Sequence, residues 1–230
     1  MNILAKIGIA LLVLIAVAAV AFYFAWSSPR DLGIRFGQAD LNSANAKLGV
    51  SYGVLPSSAD PKASLKLTGS KPVAATFSSE ELTALMASHA SAWAFYPVSN
   101  AQVKINKDGT VEIAGVLDTD RLDGYAKSTN MPPQYYDFLK NNAAQVPVKP
   151  AFYAKGTMSV VNGKVSGNAQ QVKIGAVDVP QQMVSDNYNL ITGFAENRIK
   201  EAGVTVQSAT FEDGKLNFKG TVPEQAQLAK

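Results

Sequence analysis

The chain has 230 residues, 47% of them hydrophobic, so it can bury a core and its bulk is not expected to be disordered. Its 21 basic and 18 acidic residues give a formal net charge of +3 and are scattered, which argues against a nucleic-acid surface. The lack of cysteine excludes disulfides, thiolate zinc sites and cysteine nucleophiles. A single histidine, His89, excludes motifs that need two.

The first predicted element is a membrane anchor at residues 7–26, after a short tail of residues 1–6. The segment reads IGIALLVLIAVAAVAFYFAW and contains no charged residue. Twenty helical residues at about 1.5 Å each span the roughly 30 Å hydrocarbon layer, whereas the apolar part of a signal peptide usually has about 7 to 15. We expect a retained single-pass span with the rest of the chain outside the cytoplasm; the flanking basic residues are nearly balanced, and cleavage within residues 16–21 is the alternative.

Residues 27–63 are predicted to form a stalk, because they are rich in Ser, Gly, Ala and Asp. The segment QADLNSANAKLG favours a short helix in the stalk, ended by Gly49 as a C-cap. The globular domain is expected at residues 64–230. It opens with two short strands, SLKLTG and KPVAATF.

Ser78 is predicted to open a helix in SSEELTALMASHASAWAF, with Glu81 completing a capping box. One apolar face follows at helical spacing: Leu82, Leu85, Met86, His89 and Trp93. Because His89 lies on that face without a nearby serine or acid, we expect its ring to bond a backbone carbonyl. A role as a catalytic base is the alternative.

Three β-hairpins are predicted from Asp-Gly or Asn-Gly pairs flanked by alternating apolar residues. The pairs are Asp108-Gly109, Asn162-Gly163 and Asp213-Gly214. Each return strand carries a glycine, as expected where a strongly curved sheet needs a bulge or kink; these are Gly115, Gly167 or Gly175, and Gly220. Between the hairpins, MPPQYYDFLKNNAAQ favours a short helix, and VPQQMVSDNYNLITGFAENRIKEAG favours one long amphipathic helix over residues 181–202.

Asp118, Asp120 and Asp123 are the strongest candidates for a chemical site. They fall where a strand gives way to a helix, so helix capping is the expected role. A metal site and a carboxylate pair for glycoside hydrolysis are the alternatives. Motifs for phosphate, dinucleotide, serine-hydrolase or zinc-protease sites do not occur. We therefore predict no enzyme, catalytic residue, metal ligand or cofactor.

The order of the elements resembles small bacterial envelope proteins of the YpmS-like and LmeA-like kind. The resemblance rests on the N-terminal apolar segment, FSSEELTALM, the NG and DG turns, the helix after VDVP and the closing FEDGKLNFKGTVP, and it covers roughly residues 64–223. It implies a TULIP-like fold, in which a curved antiparallel sheet wraps around a long helix and sometimes encloses an apolar groove for a lipid or acyl chain. It carries over no catalytic residue.

The predicted fold class is α+β, with a transmembrane helix followed by a curved antiparallel sheet packed on a long amphipathic helix. A groove would be lined by Tyr135, Phe138, Phe152, Tyr188, Ile191 and Phe194. A solid core of the same side chains is the alternative. We expect a cell-membrane protein that binds the bilayer through residues 7–26 and takes a lipid, an acyl chain or an envelope protein as partner. An accessory subunit without a small-molecule site is the competing hypothesis.

Overall fold

The computed structural model describes residues 27–57, 60–143 and 149–229; the side chains of residues 138, 139, 142 and 143 are outside this description. The predicted tail and membrane anchor, residues 1–26, also lie outside the described residues. Among the described helices, none combines the length and the hydropathy that a membrane crossing requires.

The described residues form an α+β fold with a mostly antiparallel sheet, which confirms the predicted class. The helices are α1 (Gln38–Leu48), α2 (Ser79–Ala92), α3 (Leu122–Ser128), α4 (Pro133–Ala143), α5 (Gln181–Asp186) and α6 (Tyr188–Glu201). The strands are β1 (Ser51–Leu55), β2 (Leu65–Thr68), β3 (Lys71–Ser78), β4 (Val98–Ile105), β5 (Thr110–Leu117), β6 (Ala151–Val161), β7 (Lys164–Ile174), β8 (Val177–Asp178), β9 (Thr205–Glu212), β10 (Lys215–Val222) and β11 (Gln225–Ala229).

The strands form two sheets. The smaller sheet has the order β1-β11-β2, with β1 parallel and β2 antiparallel to β11. The larger sheet has the order β3-β10-β9-β6-β5-β4, and β7 and β8 continue from the other edge of β6. Two strands pair with the same edge of β6. Strand β5 pairs with Ala151–Thr157, and β9 pairs with Val160–Val161.

All three predicted hairpins are confirmed, and they are β4–β5, β6–β7 and β9–β10. Asn162 and Asp213 have φ angles of 50° and 51° and are followed by glycines at 74° and 75°. Two successive residues with positive φ define the tight turn that matches the twist of antiparallel strands. The register of β10 against β9 shifts at Gly220, so the bulge predicted there is also confirmed.

The large sheet is rolled so that its two end strands, β3 and β4, reach the same helix. Helix α2 starts directly after Ser78, the last residue of β3, and the Oγ of Ser79 accepts a bond of 2.9 Å from the Ile105 N–H of β4. In a flat sheet, five strand spacings of about 4.8 Å would separate β3 from β4 by roughly 24 Å. The sheet must therefore curl toward closure, with α2 bridging the gap.

Helix α2 starts with the predicted capping box. The Ser78 Oγ accepts from the Glu81 N–H at 3.2 Å, and Glu81 accepts from the Ser78 N–H at 2.9 Å. Its most buried side chains are not the predicted apolar face, of which only Trp93 is buried; they are Ser79, Glu81, Thr83 and Ala84. The predicted role of His89 is confirmed, because its Nδ1 lies 2.8 Å from the Leu85 carbonyl oxygen.

The segment before β2, predicted as a stalk, makes contacts with both sheets. Leu32 and Ile34 are buried in a cluster with Ala114 and Tyr153 of the large sheet. The predicted helix is α1, and Gly49 ends it with a left-handed φ of 59°. Strand β1 then joins the small sheet through its pairing with β11.

The single long helix predicted over residues 181–202 is wrong, because two helices, α5 and α6, meet at Asn187. The Nδ2 group of Asn187 donates to the Met183 carbonyl at 2.8 Å. A side chain that bonds the backbone in this way competes with the regular helical bonds. Apolar periodicity alone did not reveal this break.

Candidate ligand-binding face of the sheet

One face of the large sheet, here called the inner face, is apolar from β3 to β7. Because side chains alternate along a strand, the pairing registers identify the residues that share it. They are Val73, Ala75, Phe77, Leu216, Phe218, Val206, Ala209, Phe211, Val160, Met158, Ala154, Phe152, Val165, Val172, Ile174, Val111, Ile113, Val103 and Ile105. On the opposite face, β3 and β10 carry polar residues such as Thr76 and Asn217.

Burial is uneven along the inner face. Near α2 it is well covered, and Phe77, Val103 and Ile105 are buried. Towards the middle of β5, the start of β6 and the end of β7 the side chains are only half-buried; these are Val111, Ile113, Phe152, Ala154, Val172 and Ile174. Farther along β6, Met158 is exposed. Most residues of the inner face are therefore incompletely covered.

Helix α6 contacts β7 and β9 and is loosely packed. None of its fourteen residues, all within the described part of the chain, is buried. Ile199 near its C-terminal end packs against the inner-face cluster of Val160, Val206 and Ala209. At its N-terminal end Tyr188 is 39% exposed and Ile191 is 42% exposed.

Side chains of α5 and α6 bond the free backbone groups at the edge of β7. The Val165 N–H donates to Glu196 Oε1 at 3.1 Å, and the Gly167 N–H donates to the Tyr188 hydroxyl at 3.4 Å. Gln181 donates through its Nε2 to the Gln170 carbonyl at 2.7 Å. Covering an edge protects it from pairing with another chain. The bond to Glu196 is part-buried, and the other two are exposed.

On its other flank α6 contacts α3 and α4. The rings of Tyr135 and Phe194 meet edge to face with centroids 5.8 Å apart. Gly193 permits this approach, since a Cβ there would lie 2.6 Å from the Tyr135 hydroxyl. One turn later, the Arg198 guanidinium lies 4.9 Å from the centre of the Tyr125 ring.

The six predicted groove residues fall into three places. Tyr135 and Phe194 are brought together between α4 and α6. Phe152 lies on the inner face, with its ring against Gly115 of β5. Tyr188 and Ile191 lie at the exposed end of α6. The sixth, Phe138, belongs to α4, and its side chain is outside the described part of the structure.

A polar cluster at the C-terminal end of α6 was missed from the sequence. Arg198 and Glu201 form an ion pair through Nη2 and Oε2, with side chains only 16% and 15% exposed. Burial raises the pKa of Glu201. The buried Arg198 Nη1 and Asn197 Oδ1 have no hydrogen-bond partner among the described residues. The spacing of Arg and Glu three residues apart was the available signal, but such pairs usually lie in solvent.

Two open clefts are lined mainly by residues outside the inner face. The first, of about 610 Å³, lies between α1, β3 and β10 and includes Lys47, Glu81 and Lys215. Lys47 donates to both oxygens of Glu81 and to the Thr76 carbonyl, so its ammonium group is fully used in holding α1 to the sheet. The second, of about 540 Å³, lies beside the β7–β8 edge and has a mainly polar lining.

The three aspartates make structural contacts. Asp118 sits at the start of a 3-10 helix, Thr119–Arg121, but makes no side-chain cap and instead pairs with Arg121 at 3.2 Å and Lys149 at 3.0 Å. Asp120 is exposed and reaches Lys149 at 3.5 Å, and Asp123 accepts a hydrogen bond from the Tyr136 hydroxyl. Within residues 27–57, 60–143 and 149–229, no cluster of three or more potential metal ligands forms.

Comparison of this chain with protein-family models, curated proteins and solved structures finds no significant match.

Proposed function

We propose that this protein is a membrane-anchored, extracytoplasmic domain that binds a lipid or another hydrophobic ligand in the cell envelope, without catalysis. The anchor is the uncharged segment at residues 7–26, which would hold the domain at the bilayer as a single-pass protein. The proposal includes the resemblance to the TULIP-like envelope proteins, which remains a prediction.

The observation that carries the proposal is the uneven burial of the inner face. Soluble domains normally cover such an apolar wall, yet Ile113, Phe152 and Ile174 stay half-buried. Helix α6, which contacts β7 and β9 of the same sheet, has no buried residue. An acyl chain on this wall would gain about 0.8 kcal/mol for each CH₂ removed from water. Ten or more methylenes would therefore offset the several kcal/mol that association costs.

Native mass spectrometry of the full chain, released from detergent, tests the proposal. We expect an acyl-chain adduct, either co-purified or after addition of methyl oleate. Ala154→Phe should abolish the adduct, because a large ring on the half-buried wall occupies the space of the ligand. Phe152→Ser should weaken it by removing apolar contact area.

Val161→Ser provides the matched control for these variants. Val161 belongs to the same strand, faces away from the inner face and is 53% exposed, so its truncation should leave the adduct unchanged. Thermal unfolding of all three variants separates lost binding from lost folding. A wild-type chain that takes up no methyl oleate, or an adduct that survives Ala154→Phe in a folded protein, would contradict lipid binding on this face.

A second candidate function is supported by strand β1, the edge of the small sheet. Tyr52 and Val54 project from it with 43% and 74% of their surfaces exposed, and the strand carries no charge. Uncharged edge strands with exposed apolar residues are typical sites of pairing with another chain. We therefore keep an accessory subunit of an envelope assembly as the alternative.

Photocrosslinking from position 54 in intact cells distinguishes the two functions. An accessory subunit should give one stoichiometric protein partner at Val54, and Val54→Lys should abolish this product. A lipid-binding domain should instead crosslink to lipid from position 154 on the inner face.

A further inference from the structure

One flank of α6 changes from apolar to polar along its length. Ile191, Phe194, Arg198 and Glu201 lie three, four and three residues apart, which places them on one side of the helix. At a rise of about 1.5 Å per residue, this stripe is roughly 15 Å long. In the apolar part of the stripe the Phe194 ring contacts Tyr135, and in the polar part the Arg198 guanidinium lies over the Tyr125 ring. An amphiphilic ligand lying along the helix would therefore meet apolar side chains at one end of the stripe and polar side chains at the other.

The polar end has a defined hydrogen-bonding requirement. Glu201 neutralises Arg198, and Asn197 also hydrogen-bonds Glu201, so the three side chains form one connected and electrically neutral group. Three atoms of the group are buried without a hydrogen-bond partner among the described residues: Arg198 Nη1, Asn197 Oδ1 and Glu201 Oε2. Glu201 Oε2 faces Arg198 Nη2 in the ion pair, which leaves one donor, Arg198 Nη1, and one acceptor, Asn197 Oδ1. Buried polar groups normally have partners, and leaving one unpaired costs about 1 to 3 kcal/mol.

A hydroxyl group matches this requirement because it accepts one hydrogen bond and donates another. A carboxylate would accept from Arg198 but has no proton for Asn197, and Glu201 would repel it. An ammonium group would have no lone pair for Arg198. The chemistry of the group therefore selects a neutral, hydroxyl-bearing head over a charged one.

We propose that the cluster of Asn197, Arg198 and Glu201 binds a hydroxyl of a neutral lipid head group, such as the glycerol head of a monoacylglycerol. The acyl chain would then follow Phe194 and Ile191 toward the half-buried part of the inner face. This inference rests on the proposed lipid-binding function and adds the class of head group to it. The Tyr125 ring beneath Arg198 packs against Trp93 at 5.5 Å, so the polar end is set among aromatic side chains. In an environment of low dielectric constant, a hydrogen bond is stronger than in water.

A competition between three probes with the same acyl chain tests the inference. The full-length chain in detergent is mixed with equimolar monooleoylglycerol, oleate and methyl oleate, and the bound species are counted by native mass spectrometry. We expect monooleoylglycerol to exceed both other probes by about tenfold, because only its hydroxyls pair with both buried groups. Asn197→Leu should remove this preference while methyl oleate binding persists.

Asn189→Leu is the matched control, because Asn189 lies on the same helix with its side chain exposed. It should retain the preference for monooleoylglycerol. Arg198→Met should also lose the preference while keeping the apolar stem over Tyr125. Equal binding of all three probes, or a preference that survives Asn197→Leu, would overturn the head-group assignment and leave lipid binding intact. Failure of every probe to bind would overturn both.

Discussion

Helices α2 and α6 each have fourteen residues, and each covers an edge of the same rolled sheet, but they do so differently. Helix α2 covers β4 with the short hydroxyls of Ser79 and Thr83, both buried. Helix α6 covers β7 with the longer side chains of Glu196 and Tyr188, near the surface. The first arrangement excludes water from the edge, whereas the second leaves the edge within reach of solvent.

From this difference we expect α6 to open locally more easily than α2. Free energies of local opening are low where few apolar side chains are buried and backbone hydrogen bonds are exposed. Helix α6 has no buried residue, whereas α2 has four. The bonds of α2 to β4 are buried, whereas those of α6 to β7 are part-buried or exposed. A ligand that enters between α6 and the inner face would therefore displace few buried contacts.

Removing one large aromatic side chain near α2 and one on α6 should give the largest difference in the free energy of unfolding. Trp93 is buried just after α2 and donates through its Nε1 to Ser64 at 3.1 Å. Trp93→Ala should lower the free energy of unfolding by about 4 kcal/mol, through the cavity and the lost contacts. Phe194→Ala on α6 should lower the free energy of unfolding by about 1 kcal/mol, since its ring is only half-buried. Urea unfolding measures both, and equal losses would remove the distinction between the helices.

Breaking one ion pair at each helix should give the next largest difference in the free energy of unfolding. Lys47 and the Glu81 side chain of α2 are 36% and 6% exposed, whereas Lys164, the partner of Glu196 on α6, is 81% exposed. Lys47→Met should lower the free energy of unfolding by about 2 kcal/mol, because it leaves a buried carboxylate without its cation. Lys164→Met should cause no measurable change. A large effect of Lys164→Met would contradict the loose packing of α6.

Two threonines offer an isosteric comparison. Thr83 on α2 accepts from the Val103 N–H at 3.0 Å and donates to the Val103 carbonyl at 3.3 Å, whereas Thr192 on α6 bonds only carbonyls of its own helix. Thr83→Val should cost about 1.5 kcal/mol, because it leaves buried groups of β4 unpaired. Thr192→Val should change the free energy of unfolding by less than about 0.5 kcal/mol. Chemical denaturation of both variants checks this ranking.

Two glutamates should give opposite, smaller dependences of stability on pH. Burial raises the pKa of Glu81, but hydrogen bonds from Lys47, Ser43 and Ser78 more than offset it, so the net pKa is below its ordinary 4.5. Its stabilising contribution is therefore present above pH 4.5 and is lost as the pH falls through the lowered value. Burial of Glu201 on α6 raises its pKa, so its effect on stability is most favourable below pH 4.5 and declines as the pH rises through the raised value.

Unfolding curves for Glu81→Gln and Glu201→Gln between pH 3 and 8 measure these two contributions. Glu81→Gln should flatten the acid limb of the stability profile relative to the unmodified chain. Glu201→Gln should instead flatten the decline above pH 4.5. Identical profiles for both variants would show that the two carboxylates do not differ in their surroundings.

The features that depend on a few neighbouring residues could be predicted from the sequence. The turn at Asn162 and the capping box at Ser78 each need only two residues in the right order, and both form as expected. The role of Thr83 could not be predicted, because it exists only where the curl of the sheet brings β4 beside α2. The cluster at Arg198 depends in the same way on Tyr125, which lies 73 residues earlier in the chain.

Hydrogen exchange of the full chain, with and without saturating monooleoylglycerol, tests the central claim most directly. Without ligand, the amides of α6 should exchange faster than those of α2, after correction for intrinsic rates. Addition of the lipid should slow exchange in α6 and leave α2 unchanged. Equal protection of the two helices in the free protein, together with no change in α6 on lipid addition, would contradict the account.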